Sequence, residues 1–259
     1  MVGLLIWKEQ KSGKREKAVT MEERRILQVR FLCAEILKTE RTPETVMRRR
    51  IAAAGRRWKK LGISQVVLPE EFSYGQELGR IGILPVSTLS LRQALAADWV
   101  RWLLAEMGTA PAGARVGVSA DRLTGEVVRT VTELALRHRY VLLDLPYGGE
   151  ELCRRLRREF GVSLLLGPSV EQLEGAEVWV QFSPREGSPG SHVLRLYEEQ
   201  SFLPVLTLPP TLEAQLPSGT NRGQLLSVLR ESGAIPPGQI AVGGAKLAKK
   251  EDFLADSPP

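Results

Sequence analysis

The side chains able to do chemistry are few and unevenly placed. Histidine occurs only at His138 and His192, and cysteine only at Cys33 and Cys153, which lie 120 positions apart. After Lys60 the next lysine is Lys246, so residues 61–245 contain none. A Schiff-base mechanism needs a desolvated lysine amine, and a multi-histidine zinc site needs more imidazoles than this chain has. No metal site is expected, and residue type and spacing identify no catalytic residues. His138 follows Ala-Leu-Arg at the expected C-terminal end of a helix, where a cation meets the negative end of the dipole. His192 adjoins the Gly/Ser/Pro-rich stretch 183–191, which reads as a surface loop. Cys153 sits beside the stripe Leu152, Leu156 and Phe160 and reads as packing. What remains is a polar group, Ser119, Asp121, Arg122, Thr124 and Gly125, with Asp144 lying 19 positions after that glycine. Hydroxyls with one cation and two anions suit the holding of a ligand; none of them is an evident nucleophile with its base.

The elements that must position this group alternate. Apolar runs and amphipathic segments predict a strand over 115–119, a helix over 123–138, a strand over 140–144, a helix over 149–160, a strand over 162–166, a short helix near 169–174 and a strand over 177–182. This βαβαβ order predicts a parallel sheet with helices on its faces, and ligands in such sheets sit at the carboxyl ends of the strands. The loop after 115–119 is therefore the expected site. Asp144 also precedes Pro146-Tyr-Gly-Gly149, which is turn chemistry, and Phe182-Ser-Pro184 flanks the same expected crevice or simply ends a strand. Upstream, strands over 65–68 and 83–86 enclose a short helix over 74–81, and a long helix over 89–107 leads to a hinge-like Gly108–Ala114. The run 66–69 and Gly82 echo Leu143–Pro146 and Gly161, offset by 77 residues at the prolines and 79 at the glycines. Two similar lobes, or only the shared grammar of βαβ units, would produce such an echo.

With those elements placed, the chain resembles the Rossmann domains of NAD(P)-dependent oxidoreductases over about residues 113–183. Laid on G-x-G-x-x-G, the segment Ala120-Asp-Arg-Leu-Thr-Gly125 retains the third glycine alone. Arg122 stands where the second glycine lets the pyrophosphate approach the backbone, and Asp121 puts negative charge near an anion's path. Asp144 is near the spacing of about 20 residues at which that family's ribose-binding acid occurs. The resemblance implies a Rossmann-like, mostly parallel α/β fold and a crevice around Ser119, Asp121, Arg122, Thr124, Gly125 and Asp144. With the phosphate loop spoiled, no cofactor is expected; if NAD(P) binds, Arg122 takes phosphate and Asp144 the ribose hydroxyls.

The net charge of +6 is not spread evenly: residues 1–62 carry +10 and the rest carries −4. Within the basic part, Thr42-Pro43-Glu44 predicts a helix start, with Gly62 as its stop. On that helix Met47, Ile51, Ala54, Trp58 and Leu61 form an apolar stripe, and Arg49, Ala53, Arg56 and Lys60 share the opposite face. Arg49, Arg56 and Lys60 are thus the candidates for contacting nucleic acid. Thr20-Met-Glu-Glu23 has capping-box spacing and predicts a helix over 21–38, although Leu27, Val29, Phe31 and Cys33 alternate as in a strand. Strands are expected over 193–197, 204–208 and 240–243, and a helix over 221–232 capped by Thr220. The expected organisation is a flexible extension over 1–20, basic helices and a first α/β portion over 21–112, a Rossmann-like domain over 113–245 and a tail over 246–259. No apolar run reaches the roughly 20 residues of a membrane span, no membrane partner is expected, and sparse cysteine points to the cytoplasm. The expected function is non-catalytic or regulatory binding of a small ligand or protein partner in the crevice. An NAD(P)-dependent oxidoreductase and a nucleic-acid accessory protein are the alternatives.

Overall fold

A computed structural model describes residues 1–9, 17–39, 41–185, 192–199 and 204–243. The chain divides into two compact units, one of residues 1–88 with 208–240, the other of residues 89–207 with the segment from Ala241 onward.

The first unit begins with β1 (Val2–Lys8), β2 (Val19–Ile26) and β3 (Val29–Leu37). It continues through α1 (Glu44–Lys60), β4 (Gln65–Val67), α2 (Gly75–Gly79) and β5 (Leu84–Pro85). The strands form one sheet in the order β2-β3-β1-β4-β5, in which only β2 runs antiparallel to its neighbour. Two expectations are corrected here. Val2–Lys8 is the central strand of the sheet, with Leu4 and Leu5 fully buried, and is not part of a flexible extension; the charged run 10–16 lies outside the described residues. Residues 19–37 are a β-hairpin rather than a helix. Phe31, Leu32, Cys33, Ala34 and Ile36 are all buried, because β3 lies between two strands and is covered on both faces, which hides the period of two. The two-residue turn holds Leu27 at φ 45° and Gln28 at φ 69°, the left-handed pair that matches hairpin twist and that Asn-Gly usually supplies.

The basic helix α1 forms as its spacing predicts, burying Met47, Ile51, Ala54, Gly55 and Trp58, but Leu61, expected in the stripe, caps the helix and is exposed. Its stripe packs on Leu5, Leu32, Ala34 and Ile36. Gly3 gives the ring room, since a Cβ there would stand 3.1 Å from the Trp58 indole, a tight contact. The indole Nε1–H donates to the Leu32 carbonyl at 3.0 Å, so the buried ring has its partner.

The second unit contains α3 (Leu89–Ala94), α4 (Ala96–Glu106), β6 (Arg115–Ser119), α5 (Gly125–Ala135), β7 (Tyr140–Asp144) and α6 (Gly149–Phe160). Then come β8 (Leu165–Leu166), α7 (Val170–Glu174), β9 (Val178–Gln181), β10 (Val193–Arg195) and β11 (Leu206–Thr207). The expected helix 89–107 is thus two helices, broken at Leu95. Five parallel strands pair in the order β10-β9-β6-β7-β8. Counted along the chain this is the 3-2-1-4-5 order of doubly wound nucleotide-binding sheets. This unit is Rossmann-like. Val116, Val118, Val141, Leu143, Val178 and Val180 bury one face against α4, α5 and α6, while Leu142 and Trp179 bury the other with Leu173 of α7. Each such side chain contributes about 1.5–3 kcal/mol on full burial.

The chain then forms α8 (Pro210–Glu213) and α9 (Arg222–Glu231) in the first unit, and β12 (Ala241–Val242), which pairs antiparallel with β11 in the second. The domain boundary expected at 113 therefore falls inside the second unit, and residues 208–240, expected in the Rossmann-like domain, belong to the first. The cause is specific: the N-terminal end of α9 bonds the end of β4, with Gln224 Oε1 accepting from Leu68 N–H at 2.8 Å and Asn221 N–H donating to the Leu68 carbonyl at 2.7 Å. Asn221, not Thr220, is the cap of α9. Residues 246–259 lie outside the described residues.

Candidate functional site

The switch in strand order falls between β6 and β9, so the crevice lies beyond Ser119, Asp144 and Gln181, which are register partners across β7, β6 and β9. Phe182 N–H donates to the Ser119 carbonyl at 2.8 Å and Ala120 N–H to the Asp144 carbonyl at 3.0 Å. These bonds continue the sheet for one residue and then release three loops around a common point.

That point is held by Arg185, whose guanidinium reaches all three loops. Its Nε donates to Asp144 Oδ2 at 2.6 Å, Nη1 to Asp121 Oδ1, and Nη2 to the Ala120 carbonyl at 3.0 Å. Arg185 is 22% exposed, Asp144 29% and Asp121 58%, so the cation and one carboxylate are partly desolvated while the other faces water. The guanidinium beside Asp121 holds its carboxyl below the usual carboxylate range. Burial alone would lower the Arg185 pKa, and its bonds to Asp144 and Asp121 outweigh that and raise it.

The other expected site residues have different employment. The Ser119 hydroxyl is fully buried and accepts from Trp179 Nε1 at 2.7 Å, tying β6 to β9. Thr124 caps α5, its hydroxyl accepting from Val127 N–H at 3.3 Å. Gly125 opens α5 with nothing within 4 Å of the position a Cβ would take, so no close packing requires this glycine. Arg122 is exposed on the loop. The structure thus brings together Asp121 and Asp144 and sets Ser119 and Thr124 to structural bonds. Arg185 belongs to no motif in the sequence; its one signal is its position directly after Phe182-Ser-Pro184, in the loop that must flank the crevice.

The remaining reactive side chains lie elsewhere. His138 follows α5 as expected; it is buried, its Nδ1–H donates to the Pro111 carbonyl at 3.0 Å, and burial lowers its pKa, so the ring is a packing group. Burial pushes the Cys33 thiol up to about 11, and Cys153 is raised for the same reason. Neither is activated as a nucleophile. Among the described residues no group of three His, Cys, Asp or Glu side chains could hold a metal ion, and no helix is long and apolar enough to cross a membrane.

No family model matches the sequence, and no curated protein matches it. Among solved structures, the chain is similar to an L-tryptophan dehydrogenase from Nostoc punctiforme, with 13% identity over 58% of this chain and 44% of that one, at a TM-score of 0.27. A D-lactate dehydrogenase with NAD+ from Lactobacillus jensenii gives 12% identity over 60% and 56%, at 0.27. A shikimate 5-dehydrogenase from Listeria monocytogenes in complex with shikimate and NAD gives 9% over 59% and 58%, at 0.25. The chain spans about half the length of these proteins. The Rossmann-like assignment rests on the strand order.

Proposed function

We propose that the protein is a non-catalytic, regulatory Rossmann-like binding protein whose crevice at the ends of β6, β7 and β9 takes a small ligand bearing a cationic group. The observation that carries this reading is the Arg185 guanidinium lying between Asp121 and Asp144. A dinucleotide would bring its diphosphate to a turn that presents a carboxylate and a backbone carbonyl, both already sharing one cation. It would have to break two ion pairs and then face the freed carboxylates. An amine or guanidine that exchanges with Arg185 meets the same acceptors without that repulsion. The test is a thermal-shift series with agmatine, NAD+ and NADP+ on the wild type and on Arg185→Ala, together with native mass spectrometry of the purified protein. Agmatine is expected to stabilise Arg185→Ala more than the wild type, and the dinucleotides to stabilise neither. Tight NAD(P) binding by the wild type with hydride transfer overturns the reading.

One observation favours an oxidoreductase as the second reading: Asp144 ends the second strand of the sheet, the place of a ribose-binding acid. In that case Arg122 takes phosphate, and Asp144→Ala weakens NAD binding. Unchanged affinity discards that assignment.

A further inference from the structure

A second surface, independent of the crevice, lies on α1. At about 100° per residue, Arg49, Lys59 and Lys60 fall within about 60° of Arg56, and the rest of that sector holds only Thr45, Ala52 and Ala53. No carboxylate of the helix projects into it. Arg49, Arg56, Lys59 and Lys60 are exposed, and none has an ion-pair partner among the described residues. Of the other cations of α1, Arg48 pairs with Glu44 and Glu77 and Arg50 donates to the Leu37 carbonyl, while Arg57 is exposed about 100° around the helix from Arg56. Cations in the last turn favourably meet the negative end of the helix, which accounts for Lys59 and Lys60. It does not account for Arg49, about three turns upstream.

We propose that this face docks on the phosphate backbone of duplex DNA. From Arg49 to Lys60 the helix rises about 16 Å, and one DNA strand presents a charge every ~3.4 Å along its axis. Several phosphates therefore pass beneath four cations. Ala52 and Ala53 let the phosphodiester chain come close to the helix, and the Thr45 hydroxyl adds a neutral donor. No aromatic side chain shares the sector, so there is no platform on which the bases of a single strand would stack. No Asn or Gln shares it either, which removes bidentate reading of adenine, and cations laid along the backbone fix position rather than sequence. The deep, narrow major groove of A-form RNA does not admit a helix, whereas that of B-DNA does. The +10 charge of residues 1–62 adds an attractive field for the encounter.

The test is fluorescence anisotropy of a labelled DNA duplex with the full chain across a salt series. Four phosphate contacts predict a fall in affinity of roughly 150-fold as salt rises about fourfold from about 50 mM. The variant Arg49→Gln/Arg56→Gln/Lys60→Gln is expected to bind at least tenfold more weakly and to lose about 2.7 from the salt slope. Glutamine is a good helix former and all three sites are exposed, so the melting temperature should be retained. Arg154→Gln/Arg157→Gln/Arg158→Gln on α6 makes the same charge change elsewhere and should leave affinity within about twofold. The proposal is overturned by an α1 variant that binds as the wild type does, or by equal losses in the two variants. It is equally overturned by tighter binding to phosphatidylserine vesicles or single-stranded DNA than to the duplex.

Discussion

The two five-stranded sheets share a plan and close their carboxyl ends differently. In each, a strand in third position lies between two parallel neighbours: β1 between β3 and β4, and β6 between β9 and β7. In the first sheet the end is closed mainly by aromatic packing and bonds to backbone, with the Lys8–Glu35 ion pair at 3.7 Å beside them where β1 ends. Trp7 stacks on Phe72 with ring centroids 5.9 Å apart, Phe72 meets Tyr74 edge-on, and Gln224 and Asn221 bond the backbone after β4. In the second the corresponding end is closed by one guanidinium between two carboxylates. Aromatic packing and backbone bonds yield only with unfolding, while partly exposed ion pairs exchange with water and with other ions at little cost. On the proposed reading, the second sheet is the one whose end takes a ligand.

Mutations should separate the two closures by size. Trp58→Ala, beneath the first sheet, is expected to destabilise by about 3–5 kcal/mol, measured by urea unfolding, since it removes a fully buried indole. Ser119→Ala strips the buried Trp179 N–H of its acceptor and should cost about 1–3 kcal/mol. Arg185→Ala should cost less than either. If it destabilises as much as Trp58→Ala, the ion-paired closure is as structural as a buried core indole and the contrast fails. The smallest effect is in titration. Asp121, held low by Arg185 in the folded state, contributes stability above its ordinary carboxylate range, and that contribution is lost as pH falls through the depressed value. Carbon-detected NMR should place the Asp121 midpoint below that of an ordinary aspartate in the wild type and higher in Arg185→Ala.

Legibility in the sequence followed locality. The alternation over 113–183 was readable because each strand and helix signals itself within a few residues, and Gly149–Phe160 formed with the bounds its stripe and flanking glycines predict. The segment 19–37 carried two signals: Leu27, Val29, Phe31 and Cys33 alternate as a strand does, but Thr20-Met-Glu-Glu23 imitates a helix cap and the alternation fails from Leu32 onward, where β3 is covered on both faces. The return of residues 222–231 to the first unit was invisible for another reason: an amphipathic helix records that it packs, not on what. Arg185 lies 41 positions from Asp144 and 64 from Asp121, so no local pattern links them. Only placing all three on loops at the ends of adjacent strands does so.

The most direct test is a titration of NADH, followed by nicotinamide fluorescence, into the wild type and into Arg185→Ala/Asp121→Asn, which removes both the bridging cation and the carboxylate on the phosphate path. If Arg185 closes the crevice, the wild type shows no saturable binding up to millimolar NADH and the double variant gains it. Micromolar binding by the wild type that weakens in the double variant would contradict that account and make Arg185 a ligand-binding residue.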